Sequence, residues 1–335
     1  MKIFITGTAG FIGFSLAKAL LENNHSVYGY DGITNYYDVK LKNNRNKILK
    51  KYKKFSFTKG MLENKNLLNK TIIKFKPEVI IHLAAQAGVR YSIDEPRTYL
   101  SSNIIGTHNI IELAHKIKVK HLMIASSSSV YGANKQTPYS ENDSVKLQMS
   151  IYASTKLATE SIAHSYSHIW KTPTTVLRFF TVYGPWGRPD MALFKFTKSI
   201  LEGKKIDIYN KGNLYRDFTY IDDIVHGVSS LIKKIPKYKK NPSLNRIDSL
   251  SPVAPFRIIN IGNSKKIKLL DFIKTIENTL SKNALKNYMP MQKGDVFMTL
   301  ANTNLLKKIT GFKPKTNYKE GVRNFIKWYL DYYKK

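Results

Sequence analysis

Cysteine is absent from this sequence of 335 residues, and long apolar runs are absent as well. A chain without cysteine forms no disulfide bond and no thiolate metal site, which is compatible with the cytoplasmic location that we predict. The eight histidines show no metal-ligand spacing, so we expect no bound metal. Because no run of about eighteen apolar residues occurs, we expect no membrane-spanning helix and no membrane partner. Met1 and Lys2 lead directly into an apolar stretch, so we also expect no signal peptide.

Acidic side chains are few: the chain has 23 Asp and Glu residues and 55 Lys and Arg residues, which gives a formal net charge of +32 at pH 7. Such an excess favours binding to polyanions. The lysines are scattered, however, and short clusters such as residues 50–54 are typical of a solvated face. No nucleic-acid-binding motif accompanies the charge, so we expect no nucleic-acid partner. Part of the excess would help to attract an anionic substrate.

A strand, a glycine-rich turn, a helix and a second strand follow one another at the N-terminus. The apolar residues 3–5 are typical of a buried parallel strand, and Gly7, Gly10 and Gly13 come directly after them. Apolar residues then recur with helical spacing, and a second apolar run ends in Asp31. This order predicts a dinucleotide-binding unit, although a glycine-rich turn without a ligand is the alternative.

Each residue of the turn has a physical task in that interpretation. Gly7 allows a tight turn, Gly10 leaves room for a pyrophosphate, and Gly13 lets the helix lie close to the strand. Phe11 and Ile12 lie in this stretch, and the unpaired N–H groups and the positive end of the following helix face the phosphates. We therefore expect all five residues to form the cofactor site.

Asp31 follows Gly13 by about 18 residues, which is near the spacing of a carboxylate that binds a ribose diol. That carboxylate would repel a 2′-phosphate. No lysine or arginine follows it before Lys40, so the sequence favours NAD over NADP.

Strands and helices alternate through the first half of the chain. This alternation predicts an α/β fold with a Rossmann-type, doubly wound parallel sheet. After residue 180 the loops lengthen, which suggests a mainly NAD-binding domain over 1–180 and a smaller, mainly substrate-binding lobe over 181–335, with some late segments returning to the first domain. Residues 233–257 are predicted to form a surface excursion. The predicted strands are 55–57, 79–83, 121–125, 174–180 and 258–261, and the predicted helices are 62–75, 99–117, 151–170, 269–280 and 318–332.

Tyr152 and Lys156 stand four residues apart in a predicted helix, so they share a face. An ammonium beside a phenol favours the phenolate and lowers its pKa, which would suit a general base. The pattern alone is common on exposed helices. Here it follows the serines 126–129 at the carboxyl end of a strand, where sites form in α/β folds, and this favours catalysis.

The glycine pattern, His82-Leu-Ala-Ala-Gln86, Ser127-Ser-Ser-Val-Tyr-Gly132 and Tyr152-x-x-x-Lys156 jointly resemble the NAD-dependent nucleotide-sugar epimerases and dehydratases, which are extended short-chain dehydrogenases/reductases. Within that family, two motifs resemble the UDP-glucuronate 4-epimerases. They are Gln86-Ala-Gly-Val-Arg-Tyr-Ser92 and Arg178-Phe-Phe-Thr-Val-Tyr-Gly-Pro-Trp-Gly-Arg-Pro-Asp-Met191. The likeness spans nearly the whole chain, through residues 216–223 and 291–295.

The resemblance implies a reaction and assigns catalytic roles. Tyr152 would take the proton of the sugar 4-hydroxyl while hydride leaves C4 for the nicotinamide, and the 4-keto sugar would turn before hydride returns to its other face. Lys156 would lower the pKa of Tyr152 and hold the nicotinamide ribose. Ser127 and Ser129 would bind the reacting hydroxyl and help to hold the substrate carboxylate.

The resemblance also implies binding residues for NAD and for the UDP-sugar. Without it, Arg188 would be interpreted as a surface arginine beside two prolines. Thr181 and Arg188 match carboxylate-site positions, and Arg216 matches the position that neutralises the diphosphate, a task that suits the fork of an arginine. The remaining implied residues are Leu83, Ala84 and Ala85 for the cofactor, and Arg90, Ser128 and Asp295 for the substrate.

Related dehydratases and decarboxylases carry an acidic residue just before the Val-Tyr-Gly motif, where this chain has Ser128 and Ser129. Without a second acid or base, the 4-keto intermediate has little help to eliminate water. The sequence therefore favours 4-epimerisation, and the resemblance implies that it converts UDP-glucuronate to UDP-galacturonate, for the supply of a surface polysaccharide. Two alternatives stay open: a 4-epimerase of a neutral UDP-hexose or UDP-N-acetylhexosamine, and a non-catalytic NAD-binding regulator.

Three positions depart from the family pattern. Met61 replaces an Asp that usually touches adenine, Gly32 stands where Asn is frequent, and Asn302 where Asp is frequent. His82 is expected to be a structural residue at a strand end. The resemblance also implies a homodimer formed by the helices 99–117 and 151–170.

Overall fold

The computed structural model describes residues 1–238 and 248–335. Within these ranges the chain forms twelve strands, most of them short. In chain order they are β1 (Lys2–Thr6), β2 (Ser26–Asp31), β3 (Phe55–Lys59), β4 (Val79–His82), β5 (His121–Ser127), β6 (Thr174–Phe179), β7 (Thr181–Tyr183), β8 (Lys205–Ile208), β9 (Tyr215–Tyr220), β10 (Phe256–Ile261), β11 (Lys266–Lys268) and β12 (Leu285–Tyr288).

A central sheet of seven strands organises the molecule, in the order β10-β6-β5-β4-β1-β2-β3. Each neighbouring pair is parallel, and the strand order reverses beside β1, as in a doubly wound fold. The predicted Rossmann-type fold is thus confirmed. Strand β10 comes from the second half of the chain and completes the edge beside β6. Two small sheets, β11-β9-β7 and β12-β8, lie outside the central one.

Helices connect the strands and cover both faces of the central sheet. In chain order they are α1 (Phe11–Glu22), α2 (Val39–Leu49), α3 (Lys65–Phe75), α4 (Tyr91–Asp94), α5 (Pro96–Tyr99), α6 (Gly106–Lys116), α7 (Ile151–Trp170), α8 (Ala192–Leu201), α9 (Ile221–Leu231), α10 (Leu269–Leu280), α11 (Asn304–Thr310) and α12 (Tyr318–Tyr333).

Alternation along β1 divides the core into two layers. Ile3 and Ile5 pack with residues of α1, α9 and α12 on one face, and Phe4 packs with residues of α3, α6 and α7 on the other. All three side chains are fully buried. Successive side chains of a strand point to opposite faces, so a continuous apolar run is what a sheet covered on both sides requires.

Most predicted element boundaries lie within two residues of the observed ones, and three of the differences have a clear structural cause. The helix predicted over 99–117 is interrupted, because a π-helical turn, Leu100–Ile105, separates α5 from α6. The helix predicted from residue 62 begins at Lys65, since the side chain of Asn64 caps it by accepting the N–H of Leu67 at 3.0 Å. The strand predicted over 174–180 ends at Phe179, and β7 then enters a different sheet.

Part of the predicted surface excursion over 233–257 lies outside the described residues, which resume at 248. In the described ranges, no helix combines the length and the apolar character that crossing a bilayer requires.

Candidate active site

A large cleft of about 1260 Å³ opens at the carboxyl ends of the central strands. The turns that follow β1, β4 and β5 form one wall, and segments after β6 form the other. The cleft brings together most of the predicted site residues: Gly7, Gly10, Phe11, Ile12, Asp31, Leu83, Ala84, Ala85, Arg90, Ser127, Ser128, Ser129, Tyr152, Lys156, Thr181, Arg188, Arg216 and Asp295.

The glycine turn is tight enough to exclude side chains at its key positions. Gly7 has a φ of +80°, and a Cβ there would stand 2.8 Å from the backbone nitrogen of Ala84. A Cβ on Gly13 would stand 2.1 Å from the carbonyl oxygen of Gly7. Gly13 therefore holds α1 against the turn and, unlike the other predicted cofactor residues, does not line the cleft. The close packing that the sequence predicted for Gly13 is thus observed, and its place in the cofactor site stays a prediction.

Asp31 ends β2 with its carboxylate inside the cleft. One oxygen accepts the N–H of Ala9 at 2.9 Å and the other accepts the N–H of Ile33 at 2.7 Å. A carboxylate has about four acceptor sites, so both oxygens can still accept from a ribose diol. Burial raises the pKa of Asp31, and these two hydrogen bonds oppose the rise. The bare backbone of the turn and this carboxylate fit the phosphates and the ribose of a dinucleotide.

Arg45 is a fully buried cation behind the glycine turn, and sequence analysis missed it. Its Nη1 donates to the carbonyl oxygen of Ala9 and to the hydroxyl of Tyr37, both at 2.8 Å. Its Nη2 donates to the carbonyl oxygens of Trp186, at 2.6 Å, and of Gly187, at 3.4 Å. One side chain thus ties the glycine turn to the segment that leads into Arg188.

Tyr152 and Lys156 stand on the first turns of α7, which Ser150 begins by accepting the N–H of Ala153 at 3.1 Å. Burial lowers the pKa of Lys156 to about 8, and its Nζ donates to the carbonyl oxygen of Ala125 at 2.9 Å. Tyr152 is hydrogen-bonded to Ser127. The two side chains share a face of α7, as their spacing predicted, and both contact the end of β5.

The phenol of Tyr152 differs from the expectation in one respect. Burial raises its pKa, and the hydrogen bond with Ser127 and the charge of Arg188 oppose that rise. The ammonium of Lys156 is directed to the carbonyl oxygen of Ala125, so it does not by itself bring the pKa down. Removal from water disfavours the charged phenolate, and a base at this position needs additional positive charge nearby.

A buried ion pair supports this catalytic corner from behind. Arg178 on β6 donates to both carboxylate oxygens of Glu160, at 3.1 and 2.8 Å, and Ser126 donates to the same carboxylate. Glu160 lies one turn after Lys156 on α7, and its charge raises the pKa of that lysine against the effect of burial. The pair fixes α7 against β5 and β6 at the level of the serines.

Arg188 faces the cleft paired with a carboxylate of the chain itself. Its Nε and Nη2 donate to the two oxygens of Asp190, at 3.0 and 2.5 Å. The hydroxyl of Tyr36 donates to the same carboxylate at 3.1 Å. Burial alone would raise the pKa of Asp190, but Arg188 and these hydrogen bonds hold it below its usual value. Tyr36 and Asp190 were not predicted, and only Asp190 lay within a motif.

Arg216 and Asp295 meet at another part of the cleft. Nη2 of Arg216 donates to Asp295 at 3.0 Å, and Nη2 of Arg90 lies 4.0 Å from the other oxygen of that carboxylate. The guanidinium of Arg90 also lies 4.5 Å from the ring centroid of Tyr209, a cation–π contact that sequence analysis missed. Two arginines near one carboxylate leave net positive charge for an anionic group.

The remaining predicted residues lie on the cleft walls. The N–H groups of Leu83 and Ala84 both donate to the hydroxyl of Thr6 at 3.1 Å, which fixes this loop beside Gly7. Met61 also lines the cleft, and its side chain is 41% exposed. The spacing of apolar residues around Met61 does not distinguish a methionine that lines the cleft from one that is buried in the core.

His82 has a structural place, as predicted. Its Nδ1 and Nε2 lie 2.7 and 2.9 Å from the hydroxyls of Thr6 and Thr107, and burial lowers its pKa to about 3. Over residues 1–238 and 248–335, no group of three or more His, Asp or Glu side chains is placed to hold a metal ion.

Comparison with known proteins places these features in a family. A family model described as GDP-mannose 4,6 dehydratase matches residues 4–325. Protein CapI of Staphylococcus aureus is 52% identical over 335 residues, which cover 100% of both chains. A probable UDP-glucuronate 4-epimerase of Rhizobium meliloti (strain 1021) is 48% identical over 336 residues, which cover 100% of this chain and 98% of the relative.

A solved structure is similar along the whole chain. UDP-glucuronic acid 4-epimerase from Bacillus cereus, crystallised with UDP-glucuronic acid and NAD, superposes with a TM-score of 0.89 at 32% identity, and the match covers 99% of this chain and 100% of that one. With the family match over residues 4–325, this likeness shows that the protein belongs to the GDP-mannose 4,6 dehydratase family of extended short-chain dehydrogenases/reductases, as its motifs predicted.

Proposed function

We propose that this protein is an NAD-dependent 4-epimerase that interconverts UDP-glucuronate and UDP-galacturonate. One observation carries the proposal: Arg188 and Tyr152 line the same cleft, and the charge of Arg188 opposes the rise in the pKa of Tyr152 that burial causes. A group suited to a carboxylate therefore lies near a group suited to accept a proton. In a hexuronate the carboxylate is attached to C5, next to the C4 hydroxyl that reacts. The relatives described above support the same substrate.

The turn after β1, the carboxylate of Asp31 and the loop over Leu83, Ala84 and Ala85 would hold NAD. When bound, NAD supplies a hydride acceptor for C4 and returns the hydride, and its nicotinamide adds positive charge to the cleft. Tyr152 would take the proton of the 4-hydroxyl oxygen and later give it back. The ammonium of Lys156, with that added charge, would offset the burial that raises the pKa of the phenol.

The substrate would extend from the serines after β5 toward the pair of Arg216 and Asp295. Ser127, Ser128 and Ser129 would bind the reacting hydroxyl and the carboxylate, with Thr181 and Arg188 completing the carboxylate site. Arg216 and Arg90 would neutralise the diphosphate. In domain terms, residues 1–180 would mainly hold the cofactor and 181–335 the UDP-sugar, with β10 returning to the central sheet.

We further propose a cytoplasmic homodimer whose product is an activated hexuronate for the assembly of a surface polysaccharide. Large apolar side chains stand exposed along the π-helical turn before α6 and at the end of α7, where the dimer is expected. Leu100 and Ile105 are 49% and 55% exposed, and Ile169 and Trp170 are 60% and 44% exposed. Burial of such side chains against a second copy would stabilise the assembly.

The experiment is to incubate the purified protein with UDP-glucuronate and to follow the sugar signals by NMR, first without and then with added NAD. We expect UDP-galacturonate to appear and an equilibrium of the two sugars to be reached. Turnover of UDP-glucose or UDP-N-acetylglucosamine in place of UDP-glucuronate would keep the mechanism and overturn the substrate. Binding of NAD and UDP-glucuronate without any turnover would indicate a regulator and overturn the activity.

A further inference from the structure

The pairing of Arg188 with Asp190 leaves one specific edge of the guanidinium for a ligand. A guanidinium can hold a carboxylate side-on, through Nε and one Nη, or end-on, through both Nη atoms. Asp190 occupies the side-on edge, through Nε and Nη2. Neither hydrogen bond to Asp190 uses Nη1, and Arg188 lines the cleft with its side chain 21% exposed. The end-on edge is therefore the one that a ligand can meet.

Asp190 is itself fixed from the cofactor side of the cleft. The hydroxyl of Tyr36 donates to Oδ2 of Asp190 at 3.1 Å, across 154 positions of sequence. The ring of Tyr36 packs against Tyr91, with a centroid distance of 4.8 Å. Burial raises the pKa of Tyr36 to about 12, so its phenol stays a proton donor at neutral pH. The segment between β2 and α2 thus sets the position of a carboxylate that follows β7.

We propose that Asp190, held by Tyr36, is a positioning residue that determines specificity: it orients Arg188 so that the end-on edge of the guanidinium receives the carboxylate of an acidic sugar. This inference rests on the proposed function. It adds the residue that makes Arg188 selective for an acidic sugar over a neutral one. A long, flexible arginine that is held at one edge loses less conformational freedom when it binds a ligand at the other. Asp190 therefore increases affinity for the acidic sugar although it carries the same charge as the ligand.

The test compares UDP-glucuronate with UDP-xylose, which is the same nucleotide sugar without the carboxylate. The KM of UDP-glucuronate and the inhibition constant of UDP-xylose are measured for the wild-type enzyme and for Asp190→Ala. We expect the KM of UDP-glucuronate to rise about tenfold in Asp190→Ala, because the guanidinium of Arg188 loses its orientation. The inhibition constant of UDP-xylose should stay within about twofold of the wild-type value. Asp190→Asn keeps one acceptor oxygen and should restore part of the loss, and Tyr36→Phe should show a smaller loss in the same direction.

Two further variants separate positioning from general damage. Asp248 holds Arg257 side-on in the same way, at 3.0 and 3.3 Å, outside the cleft, so Asp248→Ala should leave the ratio of the two constants unchanged. In an Arg188→Ala background, Asp190→Ala should add no further loss of selectivity. Tighter binding of UDP-glucuronate by Asp190→Ala would show that Asp190 competes with the ligand carboxylate for Arg188, and it would overturn the proposal. Equal losses for both ligands would also overturn it. Failure of the wild-type enzyme to turn over UDP-glucuronate would instead contradict the proposed function.

Discussion

Lys156 and Ala125 are joined by a hydrogen bond of 2.9 Å, in which the ammonium of the helix α7 residue donates to the carbonyl oxygen of the β5 residue. The lysine is almost fully buried, and burial lowers its pKa to about 8. The ammonium is thus fixed at the end of the strand that carries the serines. Its charge would therefore act on the phenol of Tyr152 from a distance, together with that of a bound nicotinamide, rather than through a hydrogen bond.

Substitution of this pair should separate chemistry from cofactor binding. Tyr152→Phe removes the proton acceptor, and kcat should fall about 10²–10⁴-fold while the affinity for NAD is kept. Lys156→Met should lower kcat and weaken NAD binding together, since the same ammonium would hold the nicotinamide ribose. Initial rates by NMR and NAD titration by calorimetry measure the two effects. A Tyr152→Phe enzyme with a wild-type rate would refute the assignment of the base.

Arg45 should be essential to the stability of the cleft. Arg45→Ala would leave the buried carbonyl oxygen of Ala9 and the part-buried carbonyl oxygen of Trp186 without this donor, and we expect the free energy of unfolding to fall by about 3 kcal/mol. Urea denaturation followed by circular dichroism gives the value. Arg323→Ala is the matched control, because Arg323 is an exposed arginine on α12.

The Arg45 variant also permits a rescue test. Millimolar guanidinium should raise the melting temperature of Arg45→Ala and recover part of its activity, because the ion can occupy the space between the two carbonyl oxygens. The same concentration should not raise the melting temperature of the wild-type or Arg323→Ala proteins. If guanidinium does not raise the melting temperature of Arg45→Ala specifically, the loss of stability comes from altered packing and not from the missing hydrogen-bond donors.

Met61 offers a gain-of-affinity test. The family resemblance implies that adenine lies beside this position, and a thioether accepts hydrogen bonds only weakly. Met61→Asp should tighten NAD binding by about 1 kcal/mol, the typical net value of one hydrogen bond. The control ligand is nicotinamide hypoxanthine dinucleotide, whose base lacks the amino group, and for it we expect no gain. An equal gain for both dinucleotides would point to another cause.

Stability should fall in acid, partly through His121. Its Nδ1 lies 3.0 Å from the carbonyl oxygen of Ile232, and burial lowers its pKa to about 4. Between pH 6.5 and about 4 the unfolded chain binds a proton that the folded chain does not, so stability is lost as pH falls through this window. The contribution is about 1.4 kcal/mol per pH unit.

The measurement is the free energy of unfolding from urea titrations at several pH values between 7 and 4.5. His121→Gln should be less stable at neutral pH but should show a shallower slope than the wild-type protein, because the group that titrates is gone. His82, whose pKa is also lowered by burial, contributes to the slope in both proteins. Parallel curves for the two proteins would contradict the role of His121.

The sequence predicted the parts of the fold and of the site that depend on local geometry. Gly7 shapes the turn through its positive φ, and Gly10 shapes it through the lack of a side chain. Tyr152 and Lys156 share a helix face through their spacing, so neither pair requires knowledge of distant residues. The parallel sheet follows from the alternation of strands and helices. The π-helical turn over Leu100–Ile105 breaks a helix whose apolar spacing gave no sign of an interruption.

Contacts between distant segments could not be predicted in the same way. Arg45 stands in a basic, amphipathic helix, and nothing in its neighbours shows that it donates to Trp186. Tyr36 lies in a polar loop far from Asp190, and its hydroxyl finds that carboxylate only in the folded chain. The pKa of Tyr152 also depends on burial, which spacing does not reveal, and for this reason the expected lowering was not observed.

The central claim is that C4 is oxidised and reduced again within one cleft, and isotope labelling at C4 tests it most directly. UDP-glucuronate with deuterium at C4 is incubated with the enzyme in ordinary water, and the product is examined by NMR and mass spectrometry. Transfer to a bound acceptor and back predicts UDP-galacturonate that retains deuterium at C4. UDP-galacturonate with hydrogen from the solvent at C4 would contradict the account, because it would mean that the C4 hydrogen leaves as a proton.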